Sequence, residues 1–226
     1  QVIAAERRGL LRGEQETGIR SAIINCTLRH LDAAVSEEIA DASVRNRHQG
    51  VVGFDIAGGE ASHTALPHRH ACMIARRGGL GVTVHAGEAA GPDSVAEAIF
   101  ECHADRIGHG TRLIEDPALT AYVRDRQIPV EMCLTSNRQT HAIPELAAHP
   151  LRRLLDQGLA VTLSTDNWLM SDVTLSGEYA LATDQFGLTA GEIRRLVVNA
   201  VSAAFLPLPE RRALAGEIVA ALDRWA

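Results

Sequence analysis

A chain of 226 residues with a net charge of −6 can bury one large core, and single α/β barrel domains of about this length or somewhat longer are ordinary. Arginines are scattered, so there is no basic stripe for a nucleic-acid backbone and no polybasic or long apolar segment for a membrane, and a small-molecule partner is expected. Cys26, Cys72, Cys102 and Cys133 lie far apart with no CxxC pair, which favours reduced core thiols and a cytoplasmic protein.

In chain order, apolar runs rich in β-branched residues predict strands at 21–26, 50–56, 80–85, 106–108, 128–134 and 159–164, with helical patterns between them. A helix is expected over 71–77. Ser94-Val95-Ala96-Glu97 has the form of a capping box, after which Val95, Ala98, Ile99 and Cys102 share one face. Asp116-Pro117 starts another helix. Leu151, Leu154 and Leu155 keep helical spacing up to Gly158, which suits a C-terminal cap. Thr189-Ala190-Gly191-Glu192 caps a helix with Ile193, Leu196, Val197 and Ala200 inward, and Pro209 introduces the last one.

Strand then helix, repeated at intervals of about 25 to 35 residues, reads as six parallel βα units. They fit either an open doubly wound sheet or six of the eight units of a TIM-like (β/α)8 barrel in one catalytic domain. The barrel is favoured because polar groups recur at successive strand ends, and in a barrel all these ends face one mouth. No P-loop or dinucleotide-type glycine loop, repeat or low-complexity linker is seen. No leader pattern follows Gln1.

Four residues stand at those strand ends: His85 and Glu88 after the run 80–84, His109 after Arg106-Ile107-Gly108, and Asp166 after the run 161–165. An imidazole and, one turn later, a carboxylate aim a metal ligand and an acid/base into the same space. Each has a bland alternative, a satisfied core histidine or a helix cap. Taken together, the bland readings need several coincidences.

The motifs Val51-Val52-Gly53-Phe54-Asp55-Ile56-Ala57-Gly58-Gly59-Glu60, Thr83-Val84-His85-Ala86-Gly87-Glu88, Asp105-Arg106-Ile107-Gly108-His109-Gly110, Cys133-Leu134-Thr135-Ser136-Asn137 and Leu163-Ser164-Thr165-Asp166-Asn167 stand in the order seen in adenosine deaminases. From about Gly18 to its end the chain resembles that family, within the metal-dependent amidohydrolases. The resemblance implies a (β/α)8 barrel, one zinc ion and hydrolytic removal of the 6-amino group of a purine nucleoside. It also implies His85 and Asp166 as zinc ligands, Glu88 as the acid that protonates purine N1, and His109 as the group that orients and stabilises the hydroxide. Asp166 would also accept a proton from the attacking water, Gly58 would donate its backbone N–H to purine N3, and Asp55 would orient its neighbours.

The sequence departs from the pattern in three places. The family's other two zinc ligands, an HxH pair on the first barrel strand, are not at the expected place, so a chain without its first two βα units is expected. His68-Arg69-His70 is read instead as a helix-surface feature, because i, i+2 residues of a helix point apart. Asn167 stands where many members carry a second Asp; its amide is a permanent donor for purine N7, whereas a carboxyl must be protonated to donate. Gly59 replaces a common acidic residue, for which we have no physical account. Spacing excludes the cytidine-type deaminase and zincin motifs. Another aminopurine substrate, adenine or a 5′-modified adenosine, and a non-catalytic purine-binding barrel remain as alternatives.

Overall fold

In the computed structural model, which describes residues 1–225, all six apolar runs form strands. They are β1 (Ile23–Leu28), β2 (Val51–Ala57), β3 (Gly81–Ala86), β4 (Arg106–His109), β5 (Val130–Met132) and β6 (Val161–Leu163). The helices are α1 (Val2–Thr17), α2 (Ala33–Arg45), α3 (Arg69–Arg77), α4 (Pro92–Phe100), α5 (Pro117–Asp125), α6 (Leu134–Gln139), α7 (Leu151–Asp156), α8 (Trp168–Ser171), α9 (Leu175–Phe186), α10 (Ala190–Ala203) and α11 (Leu208–Trp225). Among the described residues no helix is long and apolar enough to cross a membrane.

The chain divides into two compact units. The first holds Gln1–Val84 and Glu97–Asp105. In it β1 pairs in parallel with β2, and β2 with β3, the last in the register Gly53↔Gly81 to Ile56↔Val84. Phe54, Ile56, Val82, Val84, Ala71, Cys72 and Ala75 are fully buried there, as expected where helices cover a parallel sheet. The second unit holds His85–Ala96 and Arg106–Ala226. Its strands β4, β5 and β6 also pair in parallel, over a core that includes Ile107, Leu113, Val130, Met132, Leu134, Leu154, Leu155, Val161 and Leu196.

Capping chemistry sets several helix boundaries. The Asp116 carboxylate accepts from the amides of Ala118 and Leu119, and Pro117 occupies the first helical position of α5, where its missing N–H costs nothing. Thr189 and Glu192 form the expected capping box of α10, and Gly158, at φ +83°, follows the end of α7. The box expected at Ser94 is a misreading: α4 starts at Pro92, so Ser94 lies inside its first turn. The apolar face drawn from it is nonetheless buried, at Val95, Ala98, Ile99 and Cys102.

His68-Arg69-His70 also differs in part from its expected place. His70 is exposed and pairs with Glu37 at 3.0 Å. His68 is buried, its Nδ1 2.7 Å from the Ser36 hydroxyl and its Nε2 3.0 Å from the Arg29 carbonyl. The 3-10 turn 66–68 that precedes α3 turns His68 inward, so only His70 is a surface feature.

Candidate active site

The site is built from the carboxyl ends of strands in the second unit. Along β3 the pleat puts Val82, Val84 and Ala86, all fully buried, on one face, and leaves half-buried His85 on the other. A turn at Gly87, φ +69°, then presents the half-buried Glu88. On β4 a Cβ at Gly108 would lie 3.2 Å from the His85 Cα and 3.3 Å from its ring, so glycine lets β4 run close beside the imidazole without crowding.

Next in the chain is His109, at φ +64°. Asp166, beyond β6, lies at φ +57°. The left-handed region is strained for residues with a Cβ, and such strain gathers at functional sites. Two of the four residues read from the sequence as chemical therefore adopt a backbone that packing alone disfavours.

The side chains of His85, Glu88 and His109 converge, their potential ligand atoms all within 4.8 Å of one another. His109 Nε2 is 2.9 Å from His85 Nδ1 and 3.5 Å from a Glu88 oxygen. The other Glu88 oxygen accepts from the Thr140 hydroxyl at 2.9 Å. Asp166 stands outside this trio; it is exposed and accepts from the Ser136 hydroxyl at 2.6 Å. Asn167 uses Oδ1 to cap α8, accepting from the Met170 amide at 3.2 Å. Asp55, half-buried on β2, and exposed Gly58, at φ +96°, belong to the first unit.

Behind the trio lies a buried polar chain that sequence reasoning missed. His109 Nδ1 is 2.9 Å from Asn137 Nδ2, Asn137 Oδ1 is 3.1 Å from His149 Nε2, and the Leu151 amide donates to His149 Nδ1 at 3.1 Å. Asn137 stands in the motif Cys133-Leu134-Thr135-Ser136-Asn137, but its residue type alone points to no role. His149 carried only a faint signal, a histidine before the Pro150 that opens α7. Burial, helped by the nearby His109, holds the His149 pKa down to about 3, so its ring is neutral. Cys133, between β5 and α6, is no ready nucleophile: burial first, and Asp166 next, push its thiol well above the ordinary range.

An imidazole and a carboxylate, His85 and Asp166, are donors of the kind zinc takes, and both stand at strand ends of the second unit, where His85 gathers with Glu88 and His109.

Comparisons with known proteins identify a family for the chain. The adenosine deaminase family model matches residues 1–221, beginning before the Gly18 expected from the motifs. An adenosine deaminase of Mycolicibacterium gilvum is 41% identical over 96% of this chain and 64% of its own length. Among solved structures, an amidohydrolase from Burkholderia ambifaria with bound Zn is similar in fold, with a TM-score of 0.89, 24% identity and coverage of 96% of this chain and 60% of that one. Arabidopsis ADAL complexed with IMP gives a TM-score of 0.80 at 26% identity, covering 90% and 59%. The chain thus spans about three-fifths of the length of these relatives, and the likeness bears out the barrel-type α/β fold expected from the strand–helix repeat. The chain belongs to the adenosine deaminase family.

Proposed function

We propose that the chain carries catalytic residues for the zinc-dependent hydrolysis of adenosine or 2′-deoxyadenosine to inosine and ammonia. The observation that carries this reading is the approach of Glu88 to 3.5 Å from His109 beside His85, at strand ends that share a unit. His85 and Asp166 would hold the metal. His68 and His70 do not supply the HxH pair of the resemblance, since one is tied to Ser36 and the other to Glu37. Zinc, when bound, would supply a water of near-neutral pKa.

This chain's own residues account for the rest. Glu88, held by Thr140 through one oxygen, delivers a proton to purine N1, so the ring accepts the electron pair as water oxygen bonds to C6. His109 and Asp166 orient that water, and Asp166 takes its proton. The proton passes to the amino nitrogen, the C6–N bond breaks with its electron pair leaving on ammonia, and the C6 hydroxyl returns its proton to Glu88 as the carbonyl forms. Gly58 would meet N3 with its backbone N–H, Asp55 would orient neighbouring groups, and Asn167 keeps Nδ2 for N7 while Oδ1 caps α8. The net charge of −6 and four separate thiols suit a small uncharged nucleoside and a cytoplasmic setting.

Ammonia release and metal content test the assignment together. Glu88→Gln should keep zinc and lose kcat by at least about 10²-fold, the scale of a positioned acid/base, and His85→Ala should lose zinc. Full zinc content in His85→Ala, or retained turnover in Glu88→Gln, contradicts these roles. Faster turnover of adenine or a 5′-modified adenosine would move the substrate to another aminopurine.

A further inference from the structure

The hydrogen-bond chain behind His109 has a direction, and a backbone amide sets it. Leu151 is the first residue of α7, so its N–H is one of the groups a helix leaves without an internal partner. It donates to His149 Nδ1 at 3.1 Å. An amide N–H cannot accept, so Nδ1 carries the lone pair and neutral His149 carries its proton on Nε2. That N–H faces an Asn137 side-chain atom at 3.1 Å, which must therefore be the oxygen. The Asn137 nitrogen, which can only donate, then points at His109 Nδ1, 2.9 Å away. His109 Nδ1 thus holds a lone pair, and its proton sits on Nε2.

We propose that Asn137 and His149 are positioning residues that lock His109 in the Nε2–H tautomer, with the Leu151 amide at the start of α7 as the fixed end of the relay. Asn137, His149 and His109 are all buried, so water does not compete for these bonds. The Asn137 backbone is itself held, its N–H donating to the Cys133 carbonyl at 2.8 Å and its carbonyl accepting from the Ile143 amide at 3.2 Å. The low pKa of His149 agrees with a neutral ring but does not choose between tautomers; the backbone amide does.

The lock settles what His109 offers to the site. Its Nε2 lies within the trio that could bind a metal, yet a nitrogen that bears a proton has no lone pair to give. His109 is therefore a hydrogen-bond donor into the site and not a ligand, which leaves His85 as the imidazole for the metal. In this structure the N–H faces His85 Nδ1 at 2.9 Å; that it acts on the attacking water rests on the deaminase reading. The tautomer does not.

Nitrogen-15 NMR of histidine-labelled protein reads the tautomer without substrate, with His109→Asn identifying the His109 signals. The native protein, with and without added zinc, should show a pyrrole-type Nε2 and a pyridine-type Nδ1 at His109. Asn137→Asp replaces the donor with a second acceptor at the same place, so the Nδ1 signal should become pyrrole-type. The same variant should lose at least about tenfold in kcat while KM moves within about twofold, as for a group misdirected in the transition state. A native His109 protonated on Nδ1 alone overturns the proposal, whether or not Asn137→Asp folds. So does an unchanged Nε2–H tautomer in a folded Asn137→Asp protein. If the spectra agree and no adenosine is turned over, the tautomer lock stands and the substrate assignment fails.

Discussion

At the scale of single residues, the convergence of side chains at the strand ends was legible because they are types with few other reasons to be there. An imidazole closing an apolar strand and a carboxylate one turn on are conspicuous in sequence, and His85, Glu88 and His109 do come together. What supports them was not legible. Asn137, Thr140 and His149 act through distances that no spacing rule predicts, since their partners lie 28, 52 and 12 residues away in the chain. Gly108 shows the same limit, for its reason is the His85 backbone of the neighbouring strand. Gly108→Ala should cost about 1–3 kcal/mol of stability, the usual penalty for overpacking, because the nearest atom, the His85 Cα at 3.2 Å, cannot swing aside. Denaturant unfolding checks this. A fully stable Gly108→Ala protein would mean that β3 and β4 part easily, and that His85 is not held by their close approach.

At the scale of elements, hydrophobic periodicity placed all six strands within two residues of their ends, because short apolar runs rich in β-branched residues and bounded by turn signals have few alternative readings. The shortest helices escaped it: α6 and α8 are too brief for a 3.6-residue period to declare itself. The cap of α8 now carries a specific expectation. Asn167 has two jobs on separate atoms, Oδ1 on the Met170 amide and, in the proposed function, Nδ2 on purine N7. Serine still caps a helix but is too short to reach the base, and alanine does neither. Adenosine should be preferred over its 7-deaza analogue by roughly ten- to a hundredfold in kcat/KM, the result of leaving an amide unpaired at about 1–3 kcal/mol. Asn167→Ser and Asn167→Ala should both lose most of that preference, whereas only Asn167→Ala should lower thermal stability. Discrimination that survives in both variants would assign Asn167 to the cap alone.

At the scale of the whole molecule, the barrel reading rested on chemistry recurring at successive strand ends, and the comparisons uphold the fold it pointed to. Global stability offers one more test, through a proton that the folded chain refuses. His149 has an ordinary pKa of 6.5, held down to about 3 in the fold by burial and then by His109. The unfolded chain therefore binds a proton that the folded chain does not, and the stabilising effect is fully present above about pH 6.5. It falls by about 1.4 kcal/mol per pH unit as pH drops from there toward 3. Between pH 7.5 and pH 5 the loss should be about 2 kcal/mol. Glu14 and Glu192, whose carboxyls are held near pH 2 first by Ser21 and by Arg152 respectively, add their own loss only below about pH 4.5, outside this window. Glutamine keeps a donor and an acceptor but cannot take up the proton. His149→Gln should thus lose less stability between pH 7.5 and pH 5 than the parent, by about 2 kcal/mol in urea unfolding followed by circular dichroism at both pH values. Equal losses in the two proteins would mean that His149 is already open to protons in the fold, and that the buried end of the His109 relay is not closed.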